Sequence, residues 1–227
     1  MSTYLQLCNS LIQKCGISGG SLTTVVGQTG ESGRVASWID EAYLNIQLTE
    51  PRWWWMRGNV SFATVTNQGS YTPTECGLTD FGLWKMDSFR RYVTTTGTSS
   101  EQFLTPISYD NYRDTYLFGM MRTSYGDPRY ISEGPDRSLN LGLIPGSVGY
   151  TVVGEYFKAP TSLTADADMP ALPSQYHMLI VYRAMMMYGM YEAANETYQE
   201  GMNLYNSMLR RVMRDQMDDV CVGAALA

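Results

Sequence analysis

The chain is short of the residues on which most catalytic and metal chemistry depends. It has one histidine, His177, so any serine–histidine or cysteine–histidine relay would have to pass through that ring. His177 stands beside Met178 on an apolar stretch, where a packed, partly buried imidazole is expected. The four cysteines, Cys8, Cys15, Cys76 and Cys221, include no CxxC pair. That argues against a zinc site and against a disulfide scaffold, and makes a reducing cytosol the expected place of folding. Charged residues are only 17% and the net charge is −6, so the basic surface of a general nucleic-acid binder is missing. No run is long enough for a membrane span, because the most apolar one, MLIVYRAMMMYGMY, carries Arg183. The opening Met1-Ser2-Thr3-Tyr4 has neither the basic nor the apolar region of a secretory signal. Neither a membrane nor a cofactor is expected.

In place of charge the sequence has 17 tyrosines and 15 methionines. Polar-tipped aromatics and adaptable thioethers suit protein–protein surfaces. Apolar residues at Tyr4, Leu7, Cys8, Leu11, Ile12 and Cys15 follow three-four spacing and predict an amphipathic helix, capped by Ser2 or Thr3 and stopped by Gly16. Val35, Trp38, Ile39, Ala42, Tyr43 and Ile46 predict a second, ended near Thr49 by Pro51. The period then changes. NVSFATV, KMDSFRRYV, RYISEG, SLNLGL and VGYTVVGEYF are short, β-branched and aromatic, and separated by turn clusters. They predict an antiparallel β-rich region over 57–157, with one short helix at 108–119 capped by Ser108. After a proline-marked connector, PSQYHMLIVYRAMMMYGMYEAA reads as a central buried helix. A further helix follows, with Asn195 as a cap, and Tyr198, Met202, Tyr205, Leu209 and Val212 form a packing seam along it. Arg210, Arg211 and Arg214 complement its C-terminal dipole.

The expected fold class is α+β. A helical bundle formed by residues 1–56 and 158–217 makes one discontinuous domain. A β-rich antiparallel insertion occupies 57–157, and 218–227 is a tail. At the first junction stand three consecutive tryptophans, Trp53, Trp54 and Trp55. On a helix three adjacent residues fan over roughly 200°, and on a strand they alternate sides. They are expected to form a structural aromatic junction, with Trp53 and Trp55 in one layer and Trp54 facing the other. Stacking platforms for a base or a sugar are the competing readings.

Motifs with chemical meaning are weak. Asp80-Phe81-Gly82 matches a kinase metal tripeptide, but no other kinase element accompanies it, so a turn before the strand at Trp84 is expected. GQTGESGR lacks the Gly-Lys-Ser/Thr of a phosphate loop. The carboxylates Asp40 with Glu41, and Asp110 with Asp114, could serve a glycosidase only across a cleft in unlike environments. Tyr109, Tyr112 and Tyr116 could line a sugar groove, although core packing is the stronger expectation. The enzymatic alternative is a cell-wall glycoside hydrolase using Asp110 or Asp114, and the binding alternative is a carbohydrate module using exposed tryptophans.

Tyr4-Leu5 with Leu7, the GQTGESGRVASWIDEAYLNIQ run, WMRG at 55–58, FGLWKMDSFRRY, YDNYRDTYLFG, VGEYFKAP, LPSQYHMLIVYRAMM and the YEAA segment together resemble head–tail adaptor (connector, neck) proteins of tailed bacteriophages. The similarity covers most of the chain. It implies a structural protein without catalytic residues, assembled as a ring, typically twelve-fold, beneath the portal. Its partners would be the portal protein, neighbouring copies, a downstream tail or nozzle protein, and double-stranded DNA passing through the lumen without sequence-specific binding. An acidic chain fits such a conduit, since a basic wall would hold phosphate. The expected location is the virion neck, reached from the host cytoplasm. The tail, with Val220, Cys221, Val222 and Leu226, either stays unstructured or orders on the portal.

Overall fold

The computed structural model describes residues 2–216. Five helices and ten strands make an α+β protein: α1 (Tyr4–Cys15), α2 (Gly30–Thr49), α3 (Tyr109–Tyr112), α4 (Met178–Tyr191) and α5 (Asn195–Gln216); β1 (Arg57–Ala63), β2 (Ser70–Tyr71), β3 (Phe81–Val93), β4 (Gln102–Phe103), β5 (Thr105–Pro106), β6 (Tyr125–Gly126), β7 (Tyr130–Glu133), β8 (Leu139–Gly142), β9 (Ile144–Pro145) and β10 (Tyr150–Lys158). No helix among them is long and apolar enough to cross a membrane. Contacts divide the chain into two compact units, Met1–Met56 with Pro160–Ala227, and Arg57–Ala159.

In the first unit, α1, α2, α4 and α5 bury one core around Leu7, Leu11, Val35, Ile39, Ile46, Leu179, Val181 and Met185. α1 begins with a capping box. The Thr3 hydroxyl accepts from the Gln6 amide at 3.3 Å, and the Gln6 side chain accepts from the Thr3 amide at 3.0 Å. Gly16 ends α1 in the left-handed conformation at φ 64°. α4 and α5 approach closely at two glycines: a Cβ on Gly189 would lie 2.8 Å from the Tyr198 nitrogen, and one on Gly201 would lie 3.1 Å from Met185. The turn between these helices places Ala193 at φ 54°. α5 starts at Asn195 itself rather than after it, because the Tyr198 amide reaches the Ala194 carbonyl at 3.0 Å.

Residues 160–173 contain no helix or strand, yet their polar backbone must find partners. Side chains of α2 supply several. The Gln47 amide clamps Thr161 from both sides, donating to its carbonyl at 2.9 Å and accepting from its N–H at 3.0 Å. Asp40 accepts from the Leu163 amide at 2.7 Å, and the Tyr43 hydroxyl from the Ala171 amide at 3.0 Å. The connector is thus a strap stitched to the helices.

The second unit is a two-sheet sandwich packed behind a short helix. The first sheet runs β1-β10-β3-β4 and the second β2-β8-β7-β5. Val60, Phe62, Trp84, Phe89, Val152 and Tyr156 meet Tyr71, Ile131, Leu139 and Leu141 in its core. The long ladders are antiparallel, as expected, but β5–β7 and β6–β9 pair parallel over two residues each. Such brief pairings are loops brought alongside strands, and no alternation in the sequence announces them. The turn expected before this strand is present at 73–77, but β3 begins at Phe81 and not near Trp84, since Phe81 already pairs with Lys158. The helix expected over 108–119 starts as predicted, with the Ser108 hydroxyl accepting from the Asn111 amide at 3.3 Å. It then widens to π winding over Arg113–Leu117. Gly119 explains its end: a Cβ there would lie 2.4 Å from the Asp114 carbonyl oxygen, so only glycine lets the chain fold back so tightly.

Candidate interaction surface

The aromatic junction divides by burial. Trp53 is fully buried in the helical core, where Trp55 stacks on it at 4.4 Å and its indole N–H donates to the Ile46 carbonyl at 3.0 Å. Trp54 is 49% exposed. Two of the three rings therefore fill a core, which a stacking platform would keep open. The seam residues also face the helical core: Tyr205 and Val212 are buried in it, and Tyr198, Met202 and Leu209 pack against it. Its two glycines carry no hydrophobic signal and were missed by periodicity alone, although Gly201 falls between Tyr198 and Tyr205 on the same stripe.

His177 is buried and held at both nitrogens. Nδ1 accepts from the Ser2 amide at 3.0 Å, and Nε2 lies 2.9 Å from the Leu172 carbonyl. Nε2 therefore carries the proton, and burial pushes the imidazole pKa below its usual value. A neutral ring with both nitrogens occupied is a staple between the chain's first residues and the strap. The thiols of Cys8 and Cys76 are pushed up to about 12 by burial, which removes the thiolate needed for nucleophilic attack. Asp110 and Asp114 both bind Arg113, at 3.1 and 3.0 Å, on one exposed surface. They share one cation instead of facing each other across a cleft. No cluster among the described residues could hold a metal ion. Val220, Cys221, Val222 and Leu226 lie outside the described residues.

What stands out chemically is an apolar loop. The π turn packs Tyr116 on the outer face of the second sheet, against Gly142 and within 6.4 Å of the Tyr130 ring. The chain then turns back at Gly119 and presents Phe118, 74% exposed, and Met120, 99% exposed, with Leu117 and Met121 beside them. A run of large apolar side chains directed at water marks an interaction surface. The helix expected over 108–119 takes in only Leu117, Phe118 and Gly119 of this stretch.

On the opposite side of the same sandwich is a groove of about 600 Å³. It lies on the outward face of the first sheet, where register aligns Asn59, Glu155 and Lys85 in one row and Ser61, Val153, Arg90 and Phe103 in the next. Lys85 is shared between Asp87 and Glu155, at 3.6 Å from each, and Arg90 binds Glu101 at 3.2 Å while lying over Phe103.

An architecture of stitched helices and a sandwich with apolar and charged outer faces points to assembly more than to turnover. No curated protein matches the sequence. The family described as SU10 adaptor protein does match, over residues 2–225, which takes in both units. The chain therefore belongs to the SU10 adaptor family, a family of phage head–tail adaptors.

Proposed function

We propose that the protein is a structural component of the virion neck, forming a ring beneath the portal that extends the DNA channel and docks the next tail component. The observation that carries this reading is the family match along nearly the whole chain. In this reading the helices at both ends form a bundle domain over 1–56 and 158–217. The β-rich part, 57–157, is an insertion in the chain between its two halves. The seam Tyr198, Met202, Tyr205, Leu209 and Val212 holds the bundle together, and Trp53, Trp54 and Trp55 mark where one part gives way to the other. Neighbouring copies, twelve in a closed ring, use two different faces of each subunit. DNA passes through without sequence-specific contact, as the net charge of −6 favours. The residues 218–227 bind the portal, with Val220, Cys221, Val222 and Leu226 as its apolar anchors, and the protein has no enzymatic role.

Mass measurement by light scattering, with and without portal protein, tests this. The full chain is expected to join the portal in a defined multiple, and a chain ending at residue 217 is expected to stay folded and unbound. No complex with the full chain would overturn the adaptor position. Undiminished binding by the shortened chain would remove the tail from it.

A further inference from the structure

Resting on the ring reading above, we infer that the 117–121 loop of one copy seats in the sheet groove of a second copy, with Phe118 and Met120 against Phe103 and Val153, and Arg122 meeting Asp87. Three observations lead there.

The first is position. The loop lies outside the second sheet and the groove outside the first, with the sandwich core between them. One copy cannot bring its own loop to its own groove, but a row of copies can do so repeatedly. A contact between unlike faces repeats head to tail from copy to copy, and makes a ring where the rotation between copies closes.

The second is surface chemistry. Phe118 and Met120 are among the most exposed apolar side chains of the described residues, and Phe103 in the groove is itself exposed. Each surface has large apolar groups without cover, and burying them together removes both from water. Methionine fits an imperfect groove because its side chain is unbranched and polarizable.

The third is charge. The groove is lined by three carboxylates, Asp87, Glu101 and Glu155, and two cations, Lys85 and Arg90. Arg90 is committed to Glu101, and Lys85 is divided between the other two acids. The Asp87 side chain, 75% exposed, is the least compensated. Arg122 follows the loop directly, is exposed, and makes no ion pair among the described residues. A second copy therefore supplies both the apolar knob and the missing cation.

Sedimentation equilibrium of the full chain over a wide concentration range tests the contact. The wild type is expected to self-associate, and Phe118→Ser with Met120→Ser to weaken this about tenfold or more, as loss of central apolar anchors does. Asp87→Arg and Arg122→Asp should each weaken it about threefold, the scale of an exposed ion pair. The chain carrying both charge changes should regain wild-type association, because every loop then meets a reversed groove. Melting temperature checks that each variant is folded.

A wild type that stays monomeric up to about 1 mM, a millimolar constant being only about 4 kcal/mol, overturns the inference. So does failure of the double charge variant to recover. Loop variants that associate normally but lose a downstream tail protein would assign the loop to that protein instead. Portal binding, measured separately, keeps failure of this contact distinct from failure of the adaptor reading.

Discussion

The two units close their structures by different means. The sheet unit is one continuous stretch, and its strands satisfy their backbones mainly on each other, with β1, β10 and β3 forming long ladders. The helical unit is made from two stretches, since the chain leaves it after Met56 and returns at Pro160. Helices satisfy their own backbones, so they supply no ladder to catch the returning chain. Side chains do that work: Asp40, Tyr43, Gln47 and His177 each bind backbone more than a hundred residues away or, for His177, both ends of the unit. A discontinuous helical unit depends on a few buried polar side chains where a continuous sheet depends on register.

The largest expected effect tests whether the units lose structure separately. Trp53→Ala removes a fully buried ring, its stack on Trp55 and its bond to Ile46. Such truncations cost about 3–5 kcal/mol. Urea unfolding should report that loss, and hydrogen exchange should show it first in α2 and α4. Equal loss of protection in β1, β3 and β10 would break the comparison.

Next come the glycines at close approaches. Gly189→Val places a side chain against the Tyr198 backbone, and Gly154→Ala meets the buried Phe89 ring at 2.5 Å. Neither neighbour can move freely, so each should cost about 1–3 kcal/mol. Circular dichroism melts would check this. Gly201→Ala, 3.1 Å from the Met185 Cβ and from the Tyr182 carbonyl oxygen, should cost less, because these contacts are looser by a few tenths of an ångström than those at Gly189. If Gly201→Ala costs as much as Gly189→Val, α5 is held more rigidly than the helix contacts imply.

A smaller effect addresses the stitches directly. Gln47→Leu keeps the bulk but severs both bonds to the exposed backbone of Thr161, at about 0.5–1.5 kcal/mol for each bond. Amide exchange at Thr161 and Leu163 should rise well before that of the helices. Unchanged exchange there would mean that the strap is held by packing of Leu163 and Leu172 alone.

The helices were legible because their signals are local: Leu7 and Leu11 recur at helical spacing, Thr3 caps, and Gly16 stops. The long strands were legible from alternation, as at Val60 and Phe62. The apolar loop was half legible. Leu117 and Phe118 fell within the helix expected over 108–119, where the backbone instead widens and reverses at Gly119, and Met120 and Met121 carried no signal of their own. That reversal depends on space beside the Asp114 and Thr115 carbonyls, which no pattern encodes. The groove was not legible at all, because Asn59, Lys85, Phe103 and Glu155 come from four strands and meet only through register. The stitches were hidden for the same reason: Gln47 reads as one more polar residue on a helix until Thr161 is brought to it.

The smallest effect concerns pH, and it separates the stitches from the ladders. The His177 pKa is lowered in the folded protein, first by burial. The unfolded ring titrates near 6.5. Above that value both states hold a neutral ring, and the contribution to stability is complete. As pH falls below it, the unfolded chain takes up a proton that the folded chain resists, so stability drains towards the lower, folded value. Protonation would also convert Nδ1 from acceptor to donor and break its bond from the Ser2 amide. Urea midpoints should therefore decline between about pH 7 and pH 5.5 in the wild type, and the decline should be shallower in His177→Asn, which starts from a lower plateau. The carboxylates with depressed values, Glu75, Asp80, Asp136 and Asp168, lose their contributions at lower pH. An equal decline in His177→Asn would show that the titrating group is elsewhere, and that the helical unit's tether to its first residues is not the acid-sensitive element.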